Sequence, residues 1–351
     1  MVGGRDAVTG YLARYHQQNR RRTVLVAVMA VMALVGVILD LTTGPAGLPL
    51  SQTVNSLLGL GQVERSTDVI IWQVRLPVAV LALLVGAALA LAGAEMQTVL
   101  ENPLAEPFTL GVSASAALGA AVVIILGITI PHIPPGWSVS ASAFVFAIGS
   151  LMLLQLLGRL RAGGPEVLIL FGIALNFSAQ ACLSLLQFVA SPDALQQLVF
   201  WTLGSLSSAS WPGAGLLAVI LVVTVPFSLK SAWQLTALRM GDDQARSFGV
   251  NVEALRRWAL LRVSLLAATS VSLVGVVAFV GLAGPHIARM LVGEDHRFLL
   301  PTSLLTGALL MSLASTLSKV LVTGVVLPVG LVTSMIGLPI FFALILRRRA
   351  R

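Results

Sequence analysis

Ten apolar runs leave a chain of 351 residues few ways to fold. A helix needs about 20 apolar residues to cross a bilayer. Nine runs meet that length: residues 23–41, 76–100, 108–130, 139–160, 167–190, 212–229, 258–282, 299–322 and 329–346. A tenth, residues 285–292, is too short to cross unaided and reads as either a crossing or a re-entrant segment. Hydrophobic residues make up 57% of the chain and charged residues 10%, against about 25% charged in a soluble domain. The expected fold is all-α, a polytopic membrane protein with about ten transmembrane helices, because hydrocarbon offers backbone groups no partner outside their own helix. The expected organisation is one transmembrane domain over residues 23–347, flanked by cytoplasmic tails at 1–22 and 348–351.

Lys and Arg in short loops are retained on the cytoplasmic side. With both termini inside and all ten runs crossing, 19 of the 22 Lys and Arg fall inside, and Arg65, Arg75 and Lys319 outside. If the short run did not cross, the arginines after Leu346 would lie outside, against the same rule. The formal charge of +8 therefore follows from topology and requires no nucleic acid. The basic segment before residue 23 has no small-residue cleavage site after it, so it reads as a tail and a retained first helix. One cysteine, Cys182, permits no internal disulfide and reads as a small buried hydrophobe.

Residues 240–258, MGDDQARSFGVNVEALRRW, form the one long polar island. Asp242 and Asp243 suit the positive end of a short helix, Arg246 lies one turn on, and Gly249 supplies a left-handed stop. Asn251 caps a second helix with Glu253 in its first turn. Two helices this short are marginal alone in water, so the hairpin needs a surface to dock on.

Other motifs are less specific. Asn102, Pro103 and Pro107 fix a rigid turn after the second long run. A second fixed turn is expected at Gly284 and Pro285, within the sequence Gly281 to His286. His286, Arg289 and the group Glu294 to Arg297 read as a salt-bridged loop, and two histidines at this spacing match no metal signature. Residues 54–60 suggest an amphipathic turn. Ala82, Gly86, Ala90 and Ala94, with Ser115 and Gly119, are small residues in register for close helix packing. Glu95 is the one acid well inside a run, either snorkelling or paired, or a proton carrier. Asn176, Gln180 and Gln187 either face a central cavity or bond neighbouring helices. Neither Lys230 nor Lys319 sits in a Gly-Lys-Ser/Thr phosphate loop, so ATP is not bound in that way. No His-Glu-x-x-His or Gly-x-Ser-x-Gly motif supports an intramembrane hydrolase, and no catalytic residue is expected.

From Arg75 onward the chain resembles the permease subunits of type II ABC importers, the FecCD-type family that takes up iron-siderophores, haem and cobalamin. The resemblance is carried by Arg75-Leu76-Pro77, the helix from Gly86 to Gln97, Asn102-Pro103-Leu104-Ala105, Leu110-Gly111-Val112-Ser113, Phe279-Val280-Gly281-Leu282, Pro285-His286, Asp295-His296-Arg297, Leu300-Pro301 and Leu327-Pro328-Val329-Gly330. It implies ten helices per subunit, a dimer around a central path, two cytoplasmic ATPases that bind ATP and Mg, a periplasmic or lipid-anchored substrate-binding protein, and the bacterial cytoplasmic membrane. It makes Gly241, Asp242, Asp243, Ala245, Arg246, Phe248, Gly249 and Val250 the ATPase-coupling hairpin. Arg65, Arg75 and Lys319 become binding-protein docking groups, and Glu95, Gln97, Asn176 and Gln180 path residues. Pro328 and Gly330 mark a further turn. No cofactor or metal is implied in this chain. Val78, Ser315 and Val326 stand where the family usually has charged residues, a weakened outer surface that suits a heterodimer with a paralogue. The cargo implied is a metal chelate, a ferric siderophore first, with haem and cobalamin as alternatives, and a proton-driven transporter using Glu95 is the rival from another class.

Overall fold

The computed structural model describes residues 3–44, 47–60, 63–160, 165–322 and 324–348. They form fifteen α-helices: α1 Gly3–Thr42, α2 Leu50–Leu58, α3 Arg65–Val69, α4 Leu76–Val99, α5 Val112–Leu126, α6 Pro135–Leu160, α7 Pro165–Val189, α8 Pro192–Thr202, α9 Trp211–Lys230, α10 Ala232–Leu238, α11 Asp242–Ser247, α12 Val252–Val274, α13 Val280–Val292, α14 His296–Val320 and α15 Val329–Arg348. No strand occurs among the described residues. Seven helical stretches are long and apolar enough to cross a membrane, and α5, α13 and α15 are shorter apolar helices. Residues 349–351, the end of the expected C-terminal tail, and residues 1–2 lie outside the described set. The expected N-terminal tail is helical from Gly3 and continuous with the first apolar run.

The core forms around α4. Nearly every residue from Leu81 to Val99 is buried, as a helix apolar on all sides must be. Its small residues set the spacing of its neighbours. A Cβ on Gly86 would overlap the carbonyl of Gly307 in α14, and one on Gly93 would overlap the carbonyl of Gly281 in α13. Ala82, Ala90 and Ala94 are fully enclosed, so the small-residue register expected from the sequence is the packing seam. Gly119 does the same between α5 and α6, against the carbonyl of Ser142. Before α4, a π-helical turn over Ile70–Arg75 joins α3 to it without a break.

Four boundaries differ from the sequence reading, each for a local reason. The run 258–282 is not one helix. Helix α12 stops at Gly275, whose φ of 74° ends it, residues 275–278 run without regular structure, and α13 begins at Val280. The short run 285–292 is the second part of this 13-residue helix. The turn expected at Gly284 and Pro285 is helix instead. Pro285 cannot donate to the carbonyl of Gly281 four residues back, and Gln97 Nε2 of α4 reaches that carbonyl at 3.4 Å in its place. The second helix of the polar hairpin is not separate, because α12 runs unbroken from Val252 through Trp258.

The ends of the bundle differ in character. One gathers Arg22, Glu101, Arg239, residues 240–258 and residues 293–297 through ion pairs. The other gathers the end of α1, Arg75 and Lys319. The expected turn at Asn102–Pro107 is present: Asn102 Oδ1 accepts from the N–H of Leu104 at 3.0 Å, and Pro107 opens a 3-10 turn. Pro328 precedes α15, and Gly330 lies in its first turn with its N–H 3.3 Å from the carbonyl of Gly204.

Candidate functional site

The hairpin is built by local rules. Gly241, with φ of 99°, leads into α11, which carries Asp242 and Asp243 in its first turn and Arg246 in its last. At the far end of α11 the N–H of Gly249 donates to the carbonyl of Arg246 at 2.9 Å, and that of Val250 to the carbonyl of Ala245 at 3.1 Å. With Gly249 at φ of 82°, this is a Schellman stop, closed by contact of the buried Val250 and Ala245. Asn251 Oδ1 then accepts from the N–H of Ala254 at 2.9 Å and caps α12. Arg246 Nη2 reaches Glu253 at 2.9 Å, a bond that raises the guanidinium pKa and lowers that of the carboxyl. Met240 and Phe248 are exposed on this charged tip, at 51% and 53%.

What holds the hairpin is Arg256. Its guanidinium makes a two-pronged contact with Asp242 at 2.7 and 2.8 Å, reaches Glu101 at 2.7 Å, and donates to the carbonyl of Val99 at 3.0 Å. The hairpin is thereby fastened to the last turn of α4. Deeper along the same two helices, Arg262 Nη2 lies 2.7 Å from Glu95 and 3.1 Å from the hydroxyl of Ser231. Both charged groups are buried, so neither is free.

Beside this strut, Arg289 donates to Gln97 Oε1 at 2.6 Å, while Gln97 donates to Gly281, joining α4 to α13. Arg289 and Arg239 both bond Glu294, the salt-bridged loop expected from the sequence. His296 is fully buried between Thr98 Oγ1 at 2.8 Å and Thr236 Oγ1 at 3.2 Å. The Thr98 hydroxyl donates to the carbonyl of Ala94, which leaves its oxygen to accept from the ring. Asp295, bonded to Arg297, has its carboxyl pKa lowered and caps α14.

The other residues singled out from the sequence fall into two groups. Glu95 and Gln97 are enclosed within the chain and line no surface of it. Asn176 and Gln180 lie on α7, whose outward face exposes Ile173, Phe177 and Cys182; the thiol is exposed, not buried as expected. Arg65 is exposed, whereas Arg75 and Lys319 turn inward. They cap the end of α1: Arg75 donates to the carbonyl of Leu41 at 2.9 Å, and Lys319 to the carbonyl and carboxylate of Asp40 at 3.0 and 2.7 Å. The last carbonyls of a helix lack partners and favour cations, which explains why these two side chains leave the surface. Arg256, Glu101, Arg262 and Asp40 were not singled out as site residues. Opposite charges next to apolar runs were the available signal, but their pairing depends on helix register.

A comparison with known proteins meets this geometry over nearly its whole length. The haemin transport system permease of Yersinia pestis is 38% identical over 80% of this chain and 84% of its own. The Fe(3+)-citrate import system permease of Bacillus subtilis is 34% identical over 94% of this chain and 96% of its own. A solved chain of a metal-chelate type ABC transporter, in an inward-facing conformation, superposes with a TM-score of 0.81 at 29% identity, covering 93% of this chain and 99% of that one. The fold is that of an ABC importer permease. The profile of the FecCD transport family matches residues 32–347, and this chain belongs to that family.

Proposed function

We propose that this chain is the membrane subunit of an ATP-driven importer of metal chelates, with a ferric siderophore as cargo. The observation that carries the reading is the hairpin, a capped tip that presents Met240 and Phe248 and is locked by Arg256 to α4. Met and aromatic side chains are enriched where proteins meet, and this tip suits the groove of an ATPase. The haemin and ferric-citrate permeases among its relatives support a chelated-iron cargo.

Two ATPase subunits bind ATP and Mg, a substrate-binding protein delivers the chelate at the opposite end, and a second permease copy or a paralogue completes the path. Of the three cations expected to dock that protein, Arg65 is the one at the surface. The hairpin end faces the cytoplasm, in a bacterial cytoplasmic membrane. Closure of the ATPases displaces the hairpin, and Arg256 and Arg262 oblige α4 and α12 to follow together. Helix α13 follows through its contacts at Gly93 and Gln97. The cycle is a population shift between packed arrangements, with no covalent chemistry in this chain.

Gly249→Val tests the hairpin assignment. Nothing lies within 4 Å of the added Cβ, so the change acts through the positive φ alone, at about 1–3 kcal/mol. ATP hydrolysis by the purified complex should persist while uptake into proteoliposomes falls roughly tenfold, the equivalent of ~1.4 kcal/mol. Undiminished uptake would sink the assignment.

A further inference from the structure

Helix α2 is turned the wrong way round for a helix in water. Thr53 and Ser56 are buried, while Leu50, Val54 and Leu58 are exposed, the last at 65%. Its polar side is held to the protein: the Ser56 hydroxyl donates to Asp68 at 2.5 Å, and Trp72 Nε1 donates to the carbonyl of Ser56 at 3.4 Å. Between α2 and the end of α1 lies a crevice of about 230 Å³, lined by Ile38, Leu41 and Thr42 on one wall and by Thr53, Val54 and Leu57 on the other.

The crevice offers little to water. The Thr42 hydroxyl is spent on the carbonyl of Ile38 at 3.0 Å, and that of Thr53 on the carbonyl of Pro49 at 3.5 Å. The crevice is open on one side and its exposed lining is apolar, which suits a hydrocarbon chain entering from outside. It is also continuous with an exposed apolar surface. Val24, Val28, Val31, Val35 and Ile38 are exposed at alternating spacings of four and three residues, one stripe along α1 in a multi-pass membrane protein, and the stripe ends in the crevice. Trp72 and Trp211, joined by a 3.0 Å bond from Trp211 Nε1 to the carbonyl of Trp72, lie at this same end, where indoles favour the interface.

We infer that the α1–α2 crevice is a lipid site, holding one acyl chain of a phospholipid in the leaflet opposite the hairpin. Helix α2 is then an interfacial helix whose apolar face rests in hydrocarbon. The inference stands on the membrane-spanning fold and is independent of the cargo and of the hairpin's partner.

The test uses the complete complex in nanodiscs containing a phosphatidylglycerol with a photoactivatable diazirine on its acyl chain, with adducts mapped by peptide mass spectrometry. Adducts are expected on residues 50–58 as well as on 24–35. Leu57→Trp, which fills the crevice, should lower those on 50–58 roughly tenfold, ~1.4 kcal/mol, and leave those on 24–35 unchanged. Val54→Ser, which adds no bulk and makes the wall polar, should act in the same direction and covers failure of the first variant to assemble. Labelling of 24–35 with none on 50–58 would overturn the inference. So would loss of the 50–58 adducts when the substrate-binding protein is added, because the face would then belong to a protein.

Discussion

A carboxylate deep in an apolar run invites a reading as a proton carrier, but Glu95 has the Arg262 guanidinium at 2.7 Å and both are buried. Breaking such a pair from one side leaves an unpartnered charge and costs about 3–5 kcal/mol, whereas neutralising both sides costs far less. Glu95→Gln should therefore reduce the folded yield and thermal midpoint of the complex, and Glu95→Gln with Arg262→Gln should recover much of both. Uptake lost in the single variant at wild-type stability would favour a proton carrier instead. Arg256 has the more direct task. Arg256→Gln removes its ties to Asp242 and Glu101 and should lower uptake per ATP hydrolysed, while Arg256→Lys should restore it only in part, since an ammonium cannot replace the fork. Equal uptake per ATP in all three proteins would remove Arg256 from the coupling route. The caps at Gly249 and Asn251 were legible because they depend on neighbours within five residues. Glu95 with Arg262, or Asp40 with Lys319, depends on which faces of distant helices meet, and charge spacing carries no record of that.

Hydropathy located the elements and missed their interruptions. Residues 258–282 are apolar throughout, yet the helix breaks within them. The break is held from outside, because the Glu106 carboxylate accepts the N–H groups of Phe279 and Leu282 and so caps α13. An apolar run shows no trace of a cap supplied by another segment. The small-residue seam on α4 was readable from its period, though its partners were not. Gly93 faces the backbone of Gly281 so closely that Gly93→Val must push α13 away. Overpacking of this kind costs about 1–3 kcal/mol or more. Gly93→Ala, whose Cβ already overlaps that carbonyl, should have a lower thermal midpoint than wild type, and Gly93→Val a lower one still, measured on the purified complex. A wild-type midpoint in Gly93→Ala would mean that α13 moves freely against α4.

At the scale of the molecule, apolar length anticipated an all-helical membrane fold, which the described residues show as seven helices long enough to cross and three shorter apolar ones. Arg75 and Lys319, expected among the docking groups, turn inward to the end of α1, a placement that counting bases does not reveal. The charged hairpin, the ties of Arg256 and Arg262 to α4, and the broken helix joined to α4 through Gln97 are linked by side-chain bonds running inward from one end of the bundle. Under the proposed function, the driving force enters at the hairpin. The most direct measurement is uptake of a ferric siderophore into proteoliposomes containing this permease with its ATPase and binding protein. Uptake should require ATP on the hairpin side and persist when a protonophore collapses the pH gradient. Uptake driven by a pH gradient without ATP, and abolished by the protonophore, would contradict the account.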